Sequence, residues 1–286
     1  MNEEELRKEI AKAIEAQNNR GIPEFKGYSP KEFESLLYDP FGPESPIKLN
    51  RLSEEDCERV PVLNQIVWLM DLLKSEKGIK LTSKGNLPVK VVAEVYARGP
   101  GDDGIERGIS KLYKETDSDS VHFVRIILEV TGLTRKRKGV LYLTKEGEKL
   151  HSDRNALLQR IFSGHTQKFN WAYFDYSDDD GIGQRGFGFS LILLSLYGDM
   201  RRSAGFYAEE YFKAFPMLLE NLMPRYGTKA EQGAHVWTFR TVKRFLHWYG
   251  LVRVEDEVKN YERLFYITAT DLFNRFITCT PPKSIR

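Results

Sequence analysis

The chain is poor in the residues that build metal sites and disulfides. It has 286 residues and only two cysteines, Cys57 and Cys279, which lie far apart in the sequence and form no CxxC pair. Without that spacing, a structural zinc site of the usual cysteine type is excluded. The two thiols could form one disulfide, but free buried thiols are the better prediction, as expected in a reducing cytosol.

Long apolar runs are also absent. No stretch approaches 18 consecutive apolar residues, so the sequence predicts no membrane span. The first 17 residues, MNEEELRKEIAKAIEAQ, are charged and helical in pattern and lack the apolar segment of a signal peptide. Both absences predict a cytoplasmic protein.

Neither sign of charge dominates. The chain has 43 basic and 41 acidic residues, a net charge of +2, whereas a protein that coats DNA is usually far more basic. Hydrophobic residues make up 41% and aromatic residues 12%, which indicates a globular protein with a well-packed core.

The common signatures of catalysis are missing as well. The five histidines show no metal-ligand spacing, and there is no G-x-S-x-G or P-loop motif. Gly181–Gly186 fits G-x-G-x-x-G, but it follows Asp178-Asp179-Asp180 instead of an apolar strand, and those carboxylates would repel a pyrophosphate. A flexible linker is the better interpretation, with at most a weak surface cation site at the aspartates. The sequence therefore predicts a non-enzymatic protein without catalytic residues, metal or cofactor.

What the sequence does contain is a clear order of elements between residues 60 and 150. Apolar residues at helical spacing predict a helix over 61–74, a short strand follows at 79–82, and a second helix begins near Pro88. A third helix over 119–131 ends at Gly132. A hairpin around Lys138-Gly139 and a helix capped by Thr144 complete the set.

This order resembles a winged-helix domain. The phrase GLTRKRKGVLYLTKEGEKL, residues 132–150, is similar to the wing of many prokaryotic winged-helix proteins, in which Gly-Leu ends the third helix and Leu-Thr-x-x-Gly closes the wing. Over residues 80–175 the chain also resembles segments of uncharacterised bacterial proteins with tandem winged-helix regions. The resemblance implies the fold and a bacterial origin, and it supplies no catalytic or binding residues.

The later part of the chain repeats this unit. Residues 123–135 align without a gap with 241–253, and 140–144 align with 264–268 after a wing that is six residues longer. Seven of these 18 positions are identical, namely Val124/Val242, Leu128/Leu246, Gly132/Gly250, Leu133/Leu251, Arg135/Arg253, Tyr142/Tyr266 and Thr144/Thr268. Phe187–Leu196 and Phe206–Phe215 are the predicted first and second helices of this copy.

The predicted fold is mainly α with small β-hairpins, as two winged-helix domains in tandem after an N-terminal arm. The arm, 1–52, contains a helix and a Pro-rich extended stretch, with a capping box at Ser29-Pro30-Lys31-Glu32. The first winged-helix domain spans 53–152, and the second spans 187–286. The segment between them, 153–186, is helical and aromatic and ends in the acidic Gly-rich loop. Its rings, FNWAYF, are expected to pack between the two domains, with an aromatic ligand cage as the alternative.

The charged residues leave two function classes open. A DNA-binding winged helix usually inserts its third helix into the major groove and contacts the backbone with its wing. The first copy has a basic wing but acids on its third helix, whereas the second copy has a basic third helix but an acidic wing. The candidate nucleic-acid-binding residues are Arg135, Lys136, Arg137, Lys138, Arg240, Lys243, Arg244, His247 and Arg253.

Double-stranded DNA is one possible partner of these residues. The alternative is a protein-interaction or scaffold module, in which the same charges are solvated or pair with acids of the other domain. The sequence leaves the oligomeric state open.

Overall fold

The computed structural model describes residues 3–175, 181–259 and 262–283. Helices dominate, and the strands form three small antiparallel sheets. The prediction of a mainly α chain with small β elements is confirmed. Asp178-Asp179-Asp180, with the weak cation site considered for them, lie outside the described residues.

The N-terminal arm contains two helices and one strand: α1 (Glu3–Asn18), α2 (Pro30–Tyr38) and β1 (Ile47–Leu49), with a 3-10 turn at Pro23–Phe25. The predicted capping box is confirmed, because Ser29 Oγ accepts the Glu32 N–H at 3.3 Å and Glu32 Oε2 accepts the Ser29 N–H at 3.0 Å. β1 pairs antiparallel with the strand Ile277–Cys279 near the C-terminus, so the arm is tied to the other end of the chain.

The first unit is a set of helices around a three-stranded sheet. Its elements are α3 (Glu54–Glu58), α4 (Pro61–Ser75), β2 (Ile79–Lys80), α5 (Val89–Tyr96), α6 (Asp103–Glu106), α7 (Asp119–Val130), β3 (Thr134–Arg137), β4 (Val140–Leu143) and α8 (Lys145–His151). The strands are ordered β2-β4-β3, so the early strand pairs with the second strand of the hairpin.

The second unit repeats this order after the connecting helix α9 (Arg154–Gln167) and a 3-10 turn at Trp171–Phe174. Its elements are α10 (Phe187–Tyr197), β5 (Arg202–Ser203), α11 (Ala204–Ala214), α12 (Lys229–Trp237, continued as a π-helix over Thr238–Leu246), β6 (Val252–Lys259), β7 (Glu262–Ala269), α13 (Asp271–Phe276) and β8 (Ile277–Cys279). The strand order β5-β7-β6 matches that of the first unit.

The helices that precede the two hairpins, α7 in the first unit and the continuation of α12 in the second, stop in the same way. Gly132 and Gly250 have φ values of 74° and 69°, the left-handed region that glycine enters without steric cost. In each unit the next residue, a leucine, donates its N–H across the turn at 2.9 Å, Leu133 to Leu128 O and Leu251 to Leu246 O. The predicted glycine stops are confirmed.

The sequence alignment of the second wing strand was wrong by two residues. Thr144 donates its hydroxyl to Gly132 O at 2.8 Å and its N–H to Leu133 O at 3.0 Å. The residue that makes the equivalent bonds is Thr270, to Gly250 O at 2.7 Å and Leu251 O at 3.0 Å, and not Thr268.

The cause of the error is the two-residue period of a strand. A shift of two leaves the pattern of inward and outward side chains unchanged, so the chance identities Tyr142/Tyr266 and Thr144/Thr268 were consistent with a strand. Nine positions separate Arg135 from Thr144, and 17 separate Arg253 from Thr270. The second wing is therefore eight residues longer than the first, not six.

A single core runs through both units. The ring of Phe162, on α9, lies 4.9 Å from that of Tyr249 and 5.2 Å from those of Phe245 and Phe276, all in the second unit. It also contacts Phe41 of the arm at 5.9 Å between centroids. These residues belong to one continuous cluster of buried side chains that includes the core helices of the first unit.

The aromatic segment packs between the units as predicted. Phe169 lies 5.2 Å from Phe123 of the first unit, and Trp171 lies 4.8 Å from Phe245 of the second. The enclosed space beside these rings is about 10 Å³, too small for a ligand, which argues against an aromatic cage.

Both cysteines, Cys57 and Cys279, are free thiols, as predicted from the sequence. Burial raises the pKa of Cys279 to about 12. Among the described residues, no helix combines the length and apolar character needed to cross a bilayer.

Candidate nucleic-acid interface

The first wing presents four cations to solvent. Arg135, Lys136 and Arg137 follow one another on β3, and Lys138 occupies the tip with a φ of 50°. All four are exposed, and none forms an ion pair with a residue that the structure describes. They are therefore free to contact an anion.

The geometry of the hairpin divides these cations between its two sides. Arg135 and Arg137 alternate on β3 and share a face with Tyr142, which lies directly opposite Arg135. With Lys138 they line a shallow cleft of about 350 Å³. Lys136 lies on the other side of the hairpin, beside Gly85. A Cβ added to Gly85 would lie 2.7 Å from Lys136 Nζ. Three of the four cations therefore share the side of the wing that carries the cleft.

The third helix of the first unit is not available to a nucleic acid. The side chains of α7 are buried over most of its length, and only Val130 at its end is classed as exposed. A helix that lies inside the core cannot enter a major groove.

The basic residues on the third helix of the second unit face the first unit and the aromatic segment. Arg240 is 1% exposed, pairs with Asp175 at 2.5 Å and donates to Ile182 O at 3.2 Å. Arg244 pairs with the same Asp175 and, at 2.9 Å, with Asp119 at the start of α7. Both guanidinium groups are held inside the molecule.

The other two candidate residues on this helix, Lys243 and His247, are similarly placed. Lys243 pairs with Asp103 of the first unit at 2.9 Å, and Arg263 of the second wing reaches the same carboxylate at 3.0 Å. Burial lowers the pKa of His247 and favours its neutral form. The alternative that these charges pair with acids of the other domain is confirmed for Lys243 and Arg244.

The second wing is acidic, and arginines from inside and outside the wing pair with its carboxylates. Arg201 bonds Glu255 at 2.8 Å and also pairs with Glu257. Arg263 and Arg107 bond Asp256 at 2.7 and 2.9 Å, and they lower its pKa to about 2, chiefly through the hydrogen bond from Arg263. Arg253 is exposed at the base of this wing, two residues before Glu255.

A buried polar cluster fixes α7 to the loop before it. Glu115 is fully buried and accepts hydrogen bonds from Leu87 N at 2.7 Å and Arg125 Nε at 2.5 Å. His122 Nδ1 lies 2.6 Å from the same carboxylate, and its Nε2 lies 3.2 Å from Tyr173 Oη. Burial alone would raise the pKa of Glu115, but these hydrogen bonds outweigh it and hold the pKa below the ordinary value.

None of Glu115, His122 and Arg125 is singled out by the sequence. The available signal is the spacing of three between His122 and Arg125 on one helix face, which brings two side chains to a common partner.

The clefts and side-chain clusters show no arrangement typical of a metal centre. No group of three or more histidine, cysteine or acidic residues in the described ranges could hold an ion. Between the units lies a cleft of about 240 Å³ with acids and bases on opposite walls. In it, burial raises the pKa of Asp102 to about 6. The facing charges of this cleft form the inter-unit ion pairs described above.

Comparison with known protein families gives a match over part of the chain. Residues 58–156, which comprise 99 of the 286 residues and correspond to the first unit and the start of α9, are similar to the Y4jL N-terminal domain. No curated protein and no solved structure matches the chain.

Proposed function

We propose that this chain is a non-enzymatic, cytoplasmic, bacterial protein of tandem winged-helix type that binds nucleic acid through the wing of its first unit. The fold assignment is supported by the element order, helix-strand-helix-helix-hairpin, and by the same strand order in both three-stranded sheets. The binding assignment is carried by one observation, the four exposed wing cations without an acidic partner in the described structure.

The mode of binding follows from what is exposed. The third helices are buried or face the other unit, so contacts to base edges in the major groove are not favoured. The wing can neutralise phosphates, which carry no sequence information. Binding is therefore expected to tolerate any sequence. It should also weaken with salt at a log–log slope of about −3 to −4, the value for four neutralised phosphates.

Reversing two wing charges tests this assignment. The double variant Arg137→Glu, Lys138→Glu should lower the affinity for a short random-sequence duplex by about 100-fold at low ionic strength, because two phosphate contacts become repulsive. Fluorescence anisotropy with a labelled duplex measures the change.

The matched control is Lys48→Glu, Lys168→Glu, which alters the net charge equally at two exposed lysines away from the wing. If wild type shows no binding at low salt, or if both double variants lose the same affinity, the wing is not the binding surface.

The basic third helix of the second unit gives the opposite expectation. Lys243→Gln should change duplex affinity less than about 2-fold, because the ammonium group already faces Asp103 across the unit boundary. The same titration measures it. A loss comparable with that of the wing variant would mean that the two units separate to expose this helix.

Protein–protein interaction is the second candidate function. A specific observation favours it, an open apolar cavity of about 850 Å³ beneath the N-terminal arm, because exposed apolar concavities of this size mark binding sites.

A further inference from the structure

A groove of about 850 Å³ lies where the arm, the end of α9 and the second unit meet. Its floor is apolar and consists mainly of the buried side chains Phe33, Leu36, Phe187, Phe215 and Leu218. Its rim carries exposed apolar side chains, among them Tyr38, which is 83% exposed, and Met217, which is 53% exposed. The groove therefore continues onto the surface as an apolar patch.

Helix α1 contacts α2 but carries an apolar stripe that is only partly covered. No residue of its 16 is buried. Leu6, Ile10 and Ile14 follow one another at a spacing of four and are 44–54% exposed. Residues spaced in this way lie on one face of a helix, and an isolated helix of this length is only marginally stable in water. The stripe thus requires a surface to cover it.

α1 leads into the arm without contributing a residue to the groove of its own chain. Phe25, seven residues after Asn18, does line the groove. The intervening turn is fixed by backbone bonds, Ile22 N–H to Tyr28 O at 3.1 Å and Gly27 N–H to Ile22 O at 2.9 Å. Lys26 pairs with Glu210 of α11 and fastens the turn to the second unit.

We infer that the chain forms a two-fold dimer in which α1 of each copy lays its Leu6–Ile10–Ile14 stripe in the groove of the other. The two surfaces are also complementary in charge. α1 carries five glutamates against three basic residues, and the charged side chain in the groove lining is Arg185. The chain passes from the end of α1 at Asn18 to Phe25, which lines the groove, so a two-fold axis at this place would bring each helix over the partner's groove.

The reciprocal geometry gives the interface its size. One helix in one groove would be a small contact. Two-fold symmetry repeats this contact and adds another between the C-terminal ends of the two α1 helices. A stable interface buries about 1,600 Å² in total, and two amphipathic helices in two grooves are of this order.

The mass of the protein in solution tests the inference. Light scattering across a concentration series should give a dimer for wild type and a monomer for Ile10→Glu, with the dissociation constant raised at least 10-fold. The control Ala16→Glu adds the same charge about 120° around the helix from Ile10 and should remain a dimer. Because α1 has no buried residue, neither variant should disturb the core, and circular dichroism checks this.

A peptide experiment identifies the surfaces. A labelled peptide of residues 1–20 should bind the monomeric Ile10→Glu chain, whose grooves are empty, and should not bind the Ile10→Glu, Met217→Glu double variant. A monomeric wild type, a dimer that survives Ile10→Glu, or equal peptide binding to both variants would each overturn the inference. Duplex binding is a separate measurement, so failure here leaves the wing assignment standing.

Discussion

Phe162→Ala should lower the free energy of unfolding by about 3–5 kcal/mol, the range for removing a fully buried phenylalanine. Its ring contacts residues of the arm and of the second unit from a helix that belongs to neither. Because one core connects these parts, the variant should unfold in a single transition at a lower denaturant concentration. Guanidinium unfolding followed by tryptophan fluorescence and by far-UV circular dichroism measures both features.

The control for this variant is Tyr38→Ala, which removes an aromatic ring that is mostly exposed and should change stability by less than about 0.5 kcal/mol. Two separate transitions in wild type, with only one shifted by Phe162→Ala, would show that the units fold as independent domains and that the shared core contributes little.

Glu115→Ala should cost about 3–5 kcal/mol, because removing one partner of a buried pair leaves the other without compensation. Arg125 and His122 would lose the carboxylate that both contact, and the Leu87 N–H would lose its acceptor. Urea unfolding at pH 7 measures the loss. Glu129→Ala is the matched control, since Glu129 contacts the same guanidinium from a partly exposed position and should cost less than about 1 kcal/mol.

The pH dependence of this effect has a definite sign. The pKa of Glu115 is lower in the folded chain than the ordinary value of 4.5, so the folded state binds the proton less readily than the unfolded state. The stability that Glu115 contributes is therefore fully present above pH 4.5 and is lost as the pH falls through the folded pKa. The difference between wild type and Glu115→Ala should shrink below about pH 4.5. A difference independent of pH in this range would mean that packing, and not the ionised carboxylate, provides the stability.

Phe162 bears on function because it belongs to the core that connects the units. Asp103 of the first unit also pairs across the junction with Lys243 and Arg263 of the second unit. While this junction holds, the basic helix of the second unit stays covered and the first wing stays exposed. Variants that loosen the junction should therefore expose additional cations and increase, not decrease, duplex binding.

Several elements could be predicted from the sequence because their causes are local. The capping box at Ser29 and Glu32 depends on residues three apart, and the stop glycines Gly132 and Gly250 depend on the turn in which they lie. The exposed wing of Arg135 to Lys138 follows from a short hairpin with its turn at Lys138-Gly139. In the second wing, where a strand pattern is unchanged by a shift of two residues, the same local reasoning chose the wrong register.

The sequence by itself determined the main helices of the first unit, the stop glycines, the first hairpin and the repeat that relates the units, but not the register of the second hairpin. Only the tertiary structure decided which basic residues are free. Lys243 and Asp103 are 140 positions apart, and Arg244 and Asp119 are 125 apart, so no local pattern announces these pairs. Helix and turn formation depends on neighbours within about four residues, whereas an ion pair across two units depends on how those units pack. For this reason a basic row that looked like a recognition helix lies in the junction, and the first wing is left as the surface that can meet a phosphate.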